Sequence, residues 1–297
     1  MPQKPLENPS ELTKRAKALG YAIPVSAFLG SALLGFNAAQ MASVAVKPFN
    51  RDIFRAVNRW SAGTWWGWCV SVSEILHDIR VEYSGDEIPP EENVILVANH
   101  QQMTDITFLM AFAKSKNRLG DMKWFVKDVL KYVPGVGWGL YLIGNFFVKR
   151  SWSEDQESIE QTFAGIIQDN IPVWLISFVE GTRITEAKAE SSRKYAREKG
   201  HPEFQHVLLP RTKGFVASMQ GLRHYIDAVY DVTIGYPVGV PSLWQFIKGQ
   251  VTRAHMHVRR FPVAELPEDP GELSQWLIER FAEKDKLLDG FYRDGHF

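Results

Sequence analysis

The chain has 297 residues, 45% of them hydrophobic, and its 34 lysines and arginines balance 34 aspartates and glutamates. That is enough apolar material for one large domain, or a domain with an appendage, and zero net charge without a basic stripe excludes a nucleic-acid partner. A single cysteine, Cys69, excludes an internal disulfide framework and fits a reducing, cytosol-facing setting.

The first notable stretch runs from Ala18 to Val46 without a charged residue and is rich in Gly, Ala and Ser. A bilayer core about 30 Å thick needs roughly 20 helical residues, so this stretch is long enough to cross. It is longer than the ~7–15 apolar residues of a signal peptide and has no polar face. A second apolar piece, Trp60 to Ser73, is shorter and tryptophan-rich, which suits a membrane–water interface. Lys14, Arg15 and Lys17 precede the first piece; Lys47, Arg51, Arg55 and Arg59 follow it. Basic flanks on both sides give no clean direction for a single crossing, and would suit a membrane-embedded helical hairpin that returns to the same side. Residues 1–80 are therefore expected to be a membrane-anchoring helical region.

From about Arg80 the texture changes to short β-type runs alternating with amphipathic stretches. Strands are expected at 93–99 (NVILVAN), 122–127 and 144–150, with helices at 105–114 and 153–170. A further strand is expected within 171–182, then a charged helix at 185–200 closed by glycine. HVLLP (206–210), AVYDVTIGY (228–236) and HMHVRRF (255–261) are later strand candidates, and Leu273, Trp276, Leu277 and Phe281 form one helical stripe. The two Pro-rich pieces, DEIPPEEN and FPVAELPEDPG, read as surface connections. The alternation predicts an α/β domain over 81–297, with a central, mostly parallel sheet flanked by helices.

Chemistry gathers at the ends of the expected strands, where open α/β sheets bind ligands. His100 ends one strand and Asp105 follows in the first turn of the next helix, so the carboxylate can hold one imidazole nitrogen and leave the other to take a proton. Unpaired N–H groups at that helix N-terminus could stabilise an oxyanion. Glu180, Gly181, Thr182 and Arg183 end the run from Ile171; glycine allows close backbone approach and arginine offers a fork for phosphate. Arg211 and Lys213 follow HVLLP, and Lys149 and Arg150 end GNFFVKR. The glycines of PGVGWGL (134–140) lack the spacing of a dinucleotide loop and would instead let an acyl chain or a helix pass close by. Arg193, Lys194, Arg197 and Lys199 read as a solvated helix face. No HExxH, paired CxxC or GxSxG occurs, so no metal site is expected and the common serine-hydrolase elbow is absent.

Together these motifs resemble the glycerolipid acyltransferase family. Asn99, His100 and Asp105 match its Asn-His-x4-Asp motif, and Gly144, Phe147 and Arg150 match Gly-x-x-Phe-x-x-Arg. Phe178 to Arg183 match Phe-Pro-Glu-Gly-Thr-Arg with Val179 in place of proline, and Pro210 marks the fourth motif. LLPRTKGF and DAVYDVTIGYP look like the eukaryotic-type branch, whose lysine-containing stretch aligns with Lys127, here followed by Asp128-Val129 where Glu-Leu is common.

The resemblance implies that His100, aimed by Asp105, deprotonates the hydroxyl of a lysophospholipid, foremost lysophosphatidic acid, which attacks an acyl-CoA thioester. It implies Lys127, Phe147, Arg150, Glu180, Gly181, Thr182, Arg183, Pro210 and Lys213 as the substrate-binding set. It needs no cofactor beyond acyl-CoA as co-substrate. It implies a membrane location, endoplasmic reticulum or a bacterial inner membrane, with the site facing the cytosol. A lysocardiolipin or lysophosphatidylinositol acceptor, a hydrolase using the same base on water, and a non-catalytic lipid-binding protein are the alternatives.

Overall fold

The computed structural model describes residues 12–149, 152–247 and 253–297. Nine α-helices and seven strands occur among them: α1 (Leu12–Val44), α2 (Arg51–His77), β1 (Arg80–Gly85), β2 (Val94–Ala98), α3 (Thr104–Ser115), β3 (Met122–Lys127), α4 (Val136–Leu142), β4 (Phe146–Val148), α5 (Trp152–Gln168), β5 (Trp174–Ser177), α6 (Glu186–Lys199), α7 (Thr212–Leu222), β6 (Ala228–Gly235), α8 (Leu243–Ile247), β7 (Arg253–Pro262) and α9 (Pro270–Asp294).

The strands form one sheet in the order β1-β7-β6-β2-β5-β3-β4. Every neighbouring pair is parallel except β6 and β7, so the expectation of a mostly parallel sheet holds. Strands of such a sheet are covered on both faces, which is why β2 reads as an unbroken apolar run. Val94, Leu96 and Ala98 face one core with α2 and α3, while Ile95 and Val97 face the other with α5, α7 and α9. All five are buried, and burying each of the larger ones contributes roughly 1.5–3 kcal/mol. On the second face α9 is fixed to β6 by a buried ion pair, Lys284 Nζ to Asp231 at 2.7 Å, with Val232 O accepting from the same ammonium.

Several boundaries differ from the sequence expectations. HVLLP is irregular rather than a strand, because side chains, not a ladder, take its amides: Asp285 accepts from His206 N and Ser192 Oγ accepts from Leu209 N. The hydrogen-bonded part of 171–182 is only Trp174–Ser177, and residues 179–182 turn away. β1, α4, α7 and α8 were not among the expected elements. FPVAELPEDPG is not wholly a connection, since Phe261 and Pro262 end β7 and Pro270 opens α9 behind its cap, Asp269. The charged helix starts behind Thr185 and is closed by Gly200 in the left-handed region, at φ 69°.

Pro24–Val44 of α1 is the one described segment long and apolar enough to cross a membrane, with 11% of its most apolar window buried. The α1 and α2 helices pack antiparallel, with Trp65 Nε1 donating to Leu29 O and Asn58 Nδ2 to Ser43 Oγ. Of the α2 tryptophans, Trp66 is buried in the core and Trp60 and Trp68 are exposed. The PGVGWGL glycines do admit a helix: a side chain on Gly135 would stand 3.1 Å from Leu33, and one on Gly139 would stand 3.3 Å from Asn37, both on α1.

Candidate active site

The parallel strands β6, β2, β5, β3 and β4 end along one edge of the sheet, and the expected chemistry meets at the middle of it. His100 lies two residues beyond β2, where the chain turns into α3. Its Nδ1 is 2.9 Å from Asp105 Oδ2, and the ring stacks on Phe178 at 3.9 Å. The His100 side chain is 12% exposed and Asp105 wholly buried. Oδ2 of Asp105 also accepts from the amides of Gln101 (2.7 Å) and Gln102 (2.8 Å), and Oδ1 accepts from the Tyr236 hydroxyl (2.5 Å). A carboxylate held by four donors is fixed in place, and its bond to Nδ1 orients the imidazole and leaves Nε2 free of that contact.

That arrangement changes one expectation. Four amides around the start of α3 are occupied: Gln101 and Gln102 by Asp105, Met103 by Gln102 Oε1, and Asp105 by Gln102 O. The α3 N-terminus is therefore no open oxyanion cradle. The uncapped helix start beside the site is that of α7, whose N-cap Arg211 makes no side-chain cap bond and whose first turn carries no acid. Arg211 N donates to Val179 O at 2.7 Å, which brings this helix start against the turn after β5.

In that turn, Gly181 has φ 71°, and a side chain there would stand 3.1 Å from the Arg211 side chain, so glycine meets both constraints. Glu180 points inward and is buried; its Oε1 accepts from His100 N at 3.0 Å, while Oε2 has no partner. Burial pushes its carboxyl well above the ordinary range, against the opposing pull of the His100 and Leu208 amides. Ile184 N donates to His100 O, Arg183 donates to Gln102 Oε1 at 2.6 Å, and Lys188 to Thr182 Oγ1 at 2.6 Å. The two motifs at His100 and Glu180 are thus one hydrogen-bonded unit.

The remaining candidates lie further out. Pro210 is buried, and Lys213 is exposed on the first turn of α7. Lys127 is exposed at the end of β3, on the same sheet edge, without a contact to His100. Phe147 on β4 packs 6.1 Å from Tyr141 and lines a cavity of about 790 Å³ that does not border His100. Arg150 falls outside the described residues. Tyr236 and Phe178 were not singled out as site residues. A buried tyrosine hydroxyl needs a partner, but nothing in the sequence identifies that partner as Asp105.

Two family models match the chain: acyltransferase over residues 80–237 and acyltransferase C-terminus over 245–297. The Arabidopsis thaliana protein named "Probable 1-acyl-sn-glycerol-3-phosphate acyltransferase 5" is 35% identical over 258 residues, 86% of this chain and 69% of its own length. The 1-acyl-sn-glycerol-3-phosphate acyltransferase delta of Homo sapiens is 33% identical over 285 residues, 91% of this chain and 72% of its own. The 1-acyl-sn-glycerol-3-phosphate acyltransferase 2 of Brassica napus is 31% identical, and the chain spans 65% of its length. The crystal structure of the 1-acyl-sn-glycerophosphate acyltransferase PlsC from Thermotoga maritima superposes with a TM-score of 0.52 at 17% identity, over 92% of this chain and 98% of that one, which establishes the shared fold. On the extent of the family match and the identity of these relatives, the chain belongs to the glycerolipid acyltransferase family.

Proposed function

We propose that the chain acylates the free hydroxyl of 1-acyl-glycerol-3-phosphate, giving phosphatidic acid, with acyl-CoA as donor. The observation that carries this reading is the His100–Asp105 pair at the strand-end edge, with the acid buried and the base reachable. His100 Nε2 takes the proton as the acceptor oxygen attacks the thioester carbonyl; the C–S bond breaks, and the imidazolium returns the proton to the leaving thiolate. Base catalysis typically supplies ~10²–10⁴-fold, so positioning supplies much of the rest. The uncapped start of α7 with Lys213 and Arg211, together with Arg183 and Lys127, offers positive charge to the acceptor phosphate. Glu180, Gly181 and Thr182 hold the turn that presents Arg183, with Pro210 leading into α7. Of the implied set, Phe147 lines a separate cavity and Arg150 lies outside the described residues.

In this reading residues 1–80 anchor the catalytic domain, 81–297, to a membrane. The antiparallel α1 and α2 form a hairpin embedded from the cytosolic side, of the endoplasmic reticulum or a bacterial inner membrane. Exposed Phe28, Leu34 and Met41 on α1 and Trp60 and Trp68 on α2 support the lipid contact.

The test follows CoA release by detergent-solubilised protein with oleoyl-CoA across a panel of lysophospholipids, beside His100→Ala. Release that requires lysophosphatidic acid and vanishes in the variant is the expected result. Preference for another lysophospholipid would change the acceptor alone, while equal activity of variant and wild type would end the catalytic reading.

A further inference from the structure

We propose that the cavity along the β4 edge of the sheet is a second phosphate-binding site, taking a phosphomonoester carried on a bulky, partly apolar group. The cavity, about 790 Å³, lies between the start of α2, the turn before β3, the α4–β4 connection and the last turns of α5. It contains none of His100, Asp105 or the Glu180 turn, so it is separate from the candidate active site.

Its charge is the first argument. Six cations line it (Lys47, Arg51, Arg55, Arg59, Lys123 and Lys131) against four carboxylates. The carboxylates are already committed: Asp169 to Arg51 (3.6 Å) and Arg55 (2.5 Å), Asp121 to Arg59 (2.5 Å) and Arg118 (3.1 Å), Asp52 to Arg55 (3.2 Å), and Asp128 to Lys131 (2.7 Å). Lys47 and Lys123 are left without an ion-pair partner among the described residues, and the surplus of two positive charges matches a phosphomonoester dianion.

Lys123 is the second argument. It is 5% exposed, yet among the described residues its ammonium has a single hydrogen-bond acceptor, Ile143 O, for three donors. A buried ammonium with no carboxylate in hydrogen-bond contact is costly, and burial holds its pKa down at about 8 against the opposing pull of nearby Asp121. An anion in the cavity would supply the missing acceptors. The Lys47 ammonium has an aromatic partner, the Phe54 ring at 5.2 Å, and no carboxylate partner among the described residues.

Size and lining give the carrier. The volume far exceeds one phosphate, and Phe54, Tyr141, Phe147 and Ile166 add apolar surface beside the cations. Two carriers have this chemistry: the nucleotide 3′-phosphate of an acyl donor, and the phosphate headgroup of a lipid entering beside α1, which ends just before Lys47. Only the choice between these carriers rests on the acyltransferase reading.

The test uses full-length His100→Ala protein in detergent, so that nothing is consumed, and measures the acetylation rate of each lysine by mass spectrometry. Probes are 3′,5′-ADP and dihexanoyl phosphatidic acid, with inorganic phosphate as competitor. One probe is expected to slow labelling of Lys47 and Lys131 while Lys114, paired with Glu74 elsewhere, is unaffected. Arg51→Gln, exposed and tolerant, and Lys123→Met, close in shape, should each raise the half-protecting concentration about tenfold or more, the effect of losing a charged hydrogen-bond partner. Protection by the nucleotide alone assigns the donor, and protection by the lipid alone assigns a headgroup. Failure of both probes to protect Lys47, or protection that both variants leave unchanged, overturns the site. Wild-type protein that shows protection but no turnover would instead overturn the acyltransferase reading and leave the site standing.

Discussion

Replacing Asp105 by asparagine should separate the electrostatic part of the candidate site from its shape. The amide oxygen can still accept from the Gln101 and Gln102 amides and from His100 Nδ1, the three donors that Oδ2 now holds. The amide nitrogen would face Tyr236, whose hydroxyl can turn to accept from it and donate to Thr104 Oγ1, 3.3 Å away. What disappears is the negative charge beside the imidazolium that forms as the acceptor loses its proton. With Nδ1 and Oδ2 2.9 Å apart, both buried or nearly so, the charge centres lie about 4 Å from each other, worth ~4 kcal/mol at an effective dielectric of about 20. Since 1.36 kcal/mol is tenfold in rate, kcat should fall about 10³-fold. The acceptor KM should change little, because the charge acts on the transition state. The assay is initial-rate CoA release across acceptor concentrations, with a thermal melt to show that the fold persists. A kcat within tenfold of wild type would refute the reasoning and reduce Asp105 to a residue that starts α3.

Three further outcomes follow from the same geometry. Tyr236→Phe removes the donor on Asp105 Oδ1 and should cost about 1–3 kcal/mol of stability for a buried acceptor left unpaired, read by denaturant unfolding, with a smaller loss of kcat than Asp105→Asn. Glu180 has a folded carboxyl pKa raised by burial, so the folded state holds its proton more tightly than the unfolded chain does. Its contribution therefore declines as pH rises above the ordinary carboxylate range, and Glu180→Gln should raise the melting temperature at pH 7–8 but not near pH 4; equal shifts at both would contradict this. Gly181→Ala places a side chain at φ 71° and 3.1 Å from Arg211, a strain of roughly 1–3 kcal/mol, and should lower the melting temperature and raise the acceptor KM together.

The sequence made the local half of this site legible and concealed the tertiary half. His100 and Asp105 are five residues apart across one turn; that spacing alone is weak evidence, and it was the neighbouring motifs and the family resemblance that made the pair legible. The amides that hold Asp105 come from the same turn, but in the sequence they are indistinguishable from the unpaired N–H groups of any helix start. The short strands β2, β5 and β6 were legible as apolar runs because both faces of the sheet are covered. HVLLP has the same texture and is no strand, because its backbone partners are side chains far along the chain, Asp285 being nearly eighty residues away. β1 gave the opposite error: as an edge strand it is mostly exposed and shows no apolar run.

The concealed residues share one property, a partner that only folding supplies. Tyr236 reaches Asp105 across 131 positions, and Lys123 sits in MKWFVK where an alternating strand would put a lysine in water. Instead β3 is covered on both sides at its start, and the ammonium turns to a carbonyl in the α4–β4 connection. A lysine driven inward with no carboxylate in hydrogen-bond contact conflicts with its own residue type, and such conflicts are where structure adds most to sequence. The motif histidine shows where acyl transfer would occur. The misplaced lysine points to what else the chain binds, because its bond to the Ile143 carbonyl uses only one of its three donors.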